Sequence, residues 1–101
     1  MILIQKGIKP MTKYEIVNIV HSGRKGIRGE KVTQKKYEDL IGCIAYIDID
    51  SVKPFQSVHM ILKGHPEYDW WDTSVLIAWC TNDKEMYLET ANSIYKFREI
   101  D

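Results

Sequence analysis

From residue 12 onward the chain is written mostly in a two-residue period. Residues 12–20 are rich in β-branched and aromatic types and predict a strand. Cys43, Ala45, Ile47 and Ile49 then alternate with Ile44, Tyr46, Asp48 and Asp50, a second strand that Pro54 ends. Residues 55–63 predict a third, with Val58, Met60 and Leu62 on one face. Residues 73–81 form the fourth and most apolar strand, residues 85–90 the fifth and residues 94–100 the last. In the last, Tyr95 and Phe97 lie on one side and Lys96 and Arg98 on the other. Asn82-Asp83-Lys84 and Ala91-Asn92-Ser93 supply the turns between them.

One stretch departs from this period. Thr33 suits an N-cap, Tyr37, Leu40 and Ile41 share a helical face, and Gly42 suits the position just past a helix end. A short helix is expected at about 33–41, before the second strand. Short strands at near-regular spacing with one early helix predict a mainly β domain (α+β at most), a small antiparallel β-barrel of five to six strands. An open sheet with the helix on one face is the alternative. Residues 12–101 form this single domain, and residues 1–11 an N-terminal arm or edge strand.

The 101 residues are 45% hydrophobic and 28% charged, which suits one globular domain and not a disordered chain. No apolar run approaches the roughly 18 residues of a membrane helix or resembles a secretory signal, so a cytoplasmic protein without membrane contact is expected. Cys43 and Cys80 both sit in apolar runs and are expected to be buried free thiols, with one bridge between neighbouring strands as the alternative.

The formal net charge is zero, but it is a cancellation. Residues 21–36 carry six basic side chains against one acidic, and residues 65–89 carry six acidic against one basic. The basic segment is a loop spaced by Gly23, Gly26 and Gly29 that leads into the helix. There Arg24, Lys25, Arg28, Lys31 and Lys35 form a candidate phosphate or nucleic-acid contact, weighed against a solvated loop that protects an edge. The acidic segment contains a loop at 65–72 in which Tyr68, Asp69, Trp70, Trp71 and Asp72 form a candidate partner-binding surface, because Trp and Tyr dominate interface hot spots. The bland alternative has Trp71 closing one end of the barrel and Trp70 alone exposed.

Candidate catalytic groups do not converge. No Gly-Lys-Ser or Gly-Lys-Thr follows the spaced glycines, and there is no Cys-x-x-Cys or His-x-x-x-His. His21, His59 and His65 with the two cysteines match no metal-ligand spacing. Ser74 and Ser93 stand at a strand start and in a turn, where hydroxyls usually bond the backbone. Neither a metal, nor a cofactor, nor an enzymatic activity is expected.

Three pieces carry a resemblance: Thr73-Ser74 followed by Val75 and Leu76, Glu89-Thr90-x-Asn92-Ser93-Ile94-Tyr95, and Tyr37-x-x-Leu40-Ile41-Gly42 before the second strand. In these the chain resembles small uncharacterised single-domain β-barrel proteins of Gram-positive bacteria and their mobile elements. The resemblance implies a fold and a source, with no catalytic residues to carry over, and the Trp70-Trp71 pair departs from it.

These features predict a non-enzymatic binding module that engages a protein or nucleoprotein partner through the aromatic acidic loop, with the basic loop as a second contact. The alternatives are an inhibitor of a nucleic-acid enzyme encoded by a phage or mobile element (anti-CRISPR-type) and a small nucleic-acid-binding barrel using residues 21–36. An edge strand at residues 1–10, or at residues 94–100, pairing across a two-fold axis would make a homodimer.

Overall fold

The computed structural model describes residues 11–21 and 35–100. Residues 1–10 of the arm expected at 1–11, and the Thr33 cap, lie outside the described residues. Six strands, β1 (Thr12–His21), β2 (Ile44–Ile47), β3 (Ser57–Lys63), β4 (Trp70–Asn82), β5 (Glu85–Thr90) and β6 (Ser93–Glu99), follow one another round a closed barrel. Every neighbouring pair is antiparallel, and β6 closes on β1. The mainly β antiparallel barrel predicted from the two-residue period is what the chain forms.

The period places the core directly. Val58, Met60 and Leu62 of β3, Met86 and Leu88 of β5, and Tyr95 and Phe97 of β6 all point inward and are buried. β1 changes phase: Tyr14 and Ile16 point in, then Ile19. A register shift between Ile16 and Asn18 accounts for it, since one extra residue flips the alternation and bends the strand. β4 shifts twice. Between Asp72 and Val75 it advances three residues against two on β3, and between Leu76 and Ala78 two against one on β5. The first shift is held by Thr73, whose Oγ1 accepts the N–H of Val58 at 2.9 Å and donates to the Ser74 carbonyl at 2.7 Å.

Several expected boundaries move, each for a local reason. The helix is one turn, α1 (Lys35–Glu38), followed by turns to Gly42. Tyr37 and Leu40 are buried as expected, but Ile41 is exposed. Gly42 has φ 94, a left-handed conformation that favours glycine, and its N–H donates to the Ile16 carbonyl at 2.8 Å. β2 stops at Ile47 because Asp48 caps a 3-10 turn over Ile49–Ser51, its side chain accepting from the Asp50 N–H at 3.1 Å, and Ile49 leaves the alternation for the surface. β3 starts at Ser57 instead of residue 55, after a turn in which Phe55 has φ 65. β4 starts at Trp70, inside the expected loop, because Trp70, Trp71 and Asp72 pair with Ile61, Met60 and His59.

The two cysteines are free, and one of them is not buried. Cys43 is in the core, where its thiol donates to the Asp39 carbonyl at 3.1 Å and burial, followed by the Asp39 charge, pushes its pKa up. Cys80 is exposed, because β4 runs on past the last residue of β3 that pairs with it.

Candidate functional site

Strand register assembles an outer surface that single-strand reading cannot. Lys13, Tyr46, Ile61 and Trp70 are opposed in turn across β1, β2, β3 and β4. Directly opposed residues of an antiparallel pair share a face, so these four form one row. Glu15, Ile44 and Lys63 form the next row, and His59 faces Asp72 on the other side. All lie opposite the core-facing positions. Trp70 is 57% exposed and Ile61 39% exposed, so the indole and the isoleucine stand side by side on regular strand, open to solvent.

Polar groups frame this wall. His59 Nδ1 lies 2.6 Å from Asp72 Oδ1. An ionised carboxylate only accepts, so the imidazole donates through Nδ1. The His59 ring is 6.0 Å from the Trp70 ring, and the Lys63 ammonium is 6.0 Å from the Tyr46 ring centre. At the upper rim, residues 64–69 make a built turn. Gly64 has φ 98, and His65 Nδ1 accepts the N–H groups of both Glu67 and Tyr68 at 3.0 Å. The Tyr68 ring packs 4.9 Å from His65, and Glu67 and Asp69 point their charges to solvent.

The five residues expected to bind a partner therefore separate. Trp70 and Asp72 stand on the outer wall, and Tyr68 and Asp69 on the rim beside it. Trp71 turns the other way, half-buried in the barrel mouth, where its Nε1 donates to Tyr95 Oη at 3.0 Å. Burial is the largest influence on the Tyr95 phenol and pushes its pKa well above the usual range, with the Trp71 bond partly opposing. Ile61, Tyr46, Lys63 and His59 join the surface without having been singled out. Alternation already put His59, Ile61 and Lys63 on the face opposite Val58, Met60 and Leu62. Only the β3–β4 register places them beside Trp70.

Emission of the three tryptophans checks this placement. Trp79 is also exposed, at 43%. A Trp70→Phe/Trp79→Phe double variant is expected to keep a blue-shifted, weakly quenched emission from Trp71, and Trp71→Phe to leave emission that acrylamide quenches freely. Strong quenching of the double variant contradicts the inward position of Trp71.

Of the basic candidates, Arg24, Lys25, Arg28 and Lys31 lie outside the described residues, and Lys35 begins α1. The serine hydroxyls bond locally: Ser93 Oγ pairs with Tyr37 Oη, and Ser74 Oγ donates to Thr90 Oγ1 at 2.8 Å while accepting the Asn92 N–H at 3.0 Å. Among the described residues no three His, Cys, Asp or Glu side chains are grouped to hold a metal. Comparison of the chain with protein-family models, with curated proteins and with solved structures returns no match.

Proposed function

We propose that the protein is a non-enzymatic binding module that engages a protein or nucleoprotein partner with the outer wall of β2–β4 and the rim above it. The observation that supports this best is Trp70, more than half exposed on a paired strand beside exposed Ile61. An indole already fixed by its strand loses little conformational freedom on docking, and tryptophan is among the residue types enriched at hot spots. Glu67, Asp69 and Asp72 around it favour a basic partner surface and repel bare phosphate. An inhibitor that occupies the basic channel of a nucleic-acid enzyme is one partner choice within this reading. The two free thiols fit a reducing compartment such as the cytoplasm.

Affinity capture with purified protein from extracts of its source tests the reading. A partner held by the wild type is expected to be weakened at least about tenfold by Trp70→Ala and by Ile61→Lys, with melting temperature little changed. The same partner is expected to tolerate Arg24→Ala, Lys25→Ala and Arg28→Ala together. The reverse pattern, with steep salt dependence, sinks this proposal in favour of a nucleic-acid contact on residues 21–36.

A further inference from the structure

The second half of β4 has an edge to itself. Pairing with β3 ends at Ser57 opposite Val75, and two further backbone bonds close the seam: Phe55 N–H to the Leu76 carbonyl at 2.8 Å and Leu76 N–H to the Gln56 carbonyl at 2.9 Å. β4 then continues through Ile77–Asn82 paired with β5 alone. Among the described residues no strand lies against the other side. We infer that this edge, flanked by Phe55, pairs antiparallel across a two-fold axis with the same edge of a second copy of the chain. The surface is separate from the Trp70 wall, and the inference does not depend on that reading.

Three observations converge on the edge. Phe55 is 79% exposed and has φ 65. A left-handed conformation costs a bulky L-residue about 1–2 kcal/mol, and a ring so exposed recovers little of that by packing within its own barrel. Ile77 and Trp79 stand along the same edge at 40% and 43% exposure. Beside them opens a groove of about 230 Å³ lined by Ala78, Trp79, Cys80, Tyr87, Glu89 and Ile94. Finally, the strand lacks the usual protection: residues 73–82 contain no charge and no proline, the devices by which exposed edges avoid pairing.

Charge selects a second copy as the occupant. An uncharged strand can oppose itself without any like-charge pair along the paired length. The zero net charge of the whole chain removes the long-range repulsion that otherwise keeps identical molecules apart. Antiparallel pairing of identical strands is self-complementary, as a two-fold interface requires. Six residues a side and a few apolar side chains fall below the roughly 1,200 Å² of a tight interface, so the dimer is weak, with Kd of micromolar order.

Sedimentation velocity of the full chain from about 1 to 200 μM is expected to show a reversible monomer–dimer equilibrium. Phe55→Gly and Ile77→Lys are each expected to weaken it at least about tenfold. Phe55→Gly keeps the fold, because glycine adopts that φ without strain. A short bis-maleimide is expected to link Cys80 to Cys80 of the partner copy, with Cys43 unreacted in the core. A monomer throughout the concentration range overturns the inference, including the case where the chain's own N-terminal residues fill the edge. So does a dimer that both variants leave intact.

Discussion

Phe97→Ala is expected to destabilise the barrel by about 3–5 kcal/mol, a large share of the roughly 5–15 kcal/mol that holds a domain folded. Phe97 is fully buried at the inward face of β6. Its ring stacks on Tyr95 at 5.9 Å with planes 6° apart and meets the edge of Tyr14 at 5.7 Å. It is opposed by Ile16 on β1 and Met86 on β5, both buried, so its removal leaves a cavity walled by three strands at the barrel seam. The closed β1–β6 pairing cannot shift inward to fill it without losing register. Chemical denaturation followed by far-UV circular dichroism measures the change, and a loss below about 1 kcal/mol contradicts this picture of the core. Trp70→Ala, a larger truncation, is expected to cost less than about 1 kcal/mol because most of that indole already faces water. The contrast separates a structural aromatic from one available for binding.

The core was legible because burial in a barrel follows alternation, and β3, β5 and β6 alternate cleanly. The strand ends were not, because they depend on pairing across distance. Trp70 to Asp72 look like a loop in sequence, with an acid, two indoles and a proline nearby. They become strand because His59, Met60 and Ile61 stand opposite. Ile49 reads as the last inward residue of β2, and only the Asp48 cap removes it. Cys80 reads as buried because its neighbours are apolar. It is exposed because β4 outruns β3, a fact about strand lengths and bulges that no window of sequence contains. For the same reason the residues of the candidate loop at 65–72 divide between two faces instead of forming one surface. Alternation sends Trp71 to the Tyr95 hydroxyl and leaves Trp70 outside, and register then supplies Ile61 and His59 as its companions.

Thr90→Val is expected to cost about 2–3 kcal/mol although it conserves shape. Thr90 is fully buried at the end of β5, and its hydroxyl uses its whole bonding capacity. It accepts from Ser74 Oγ at 2.8 Å and from the Ser93 N–H at 3.1 Å, and donates to the Ser93 carbonyl at 3.0 Å. Ser93 is itself buried, and its own hydroxyl pairs with buried Tyr37. A methyl in place of the hydroxyl strands a buried backbone N–H, and that group then bears its full desolvation penalty. The turn between β5 and β6 depends on the same atoms, since Ser74 Oγ also holds the Asn92 N–H. The expected fall in melting temperature is about 10–20 °C for a domain of this size. Thr90→Ser, which keeps the hydroxyl and loses a buried methyl, is expected to fall by less than half as much. A Thr90→Val variant that melts within about 2 °C of the wild type would remove the hydroxyl network from what holds this end of the barrel closed.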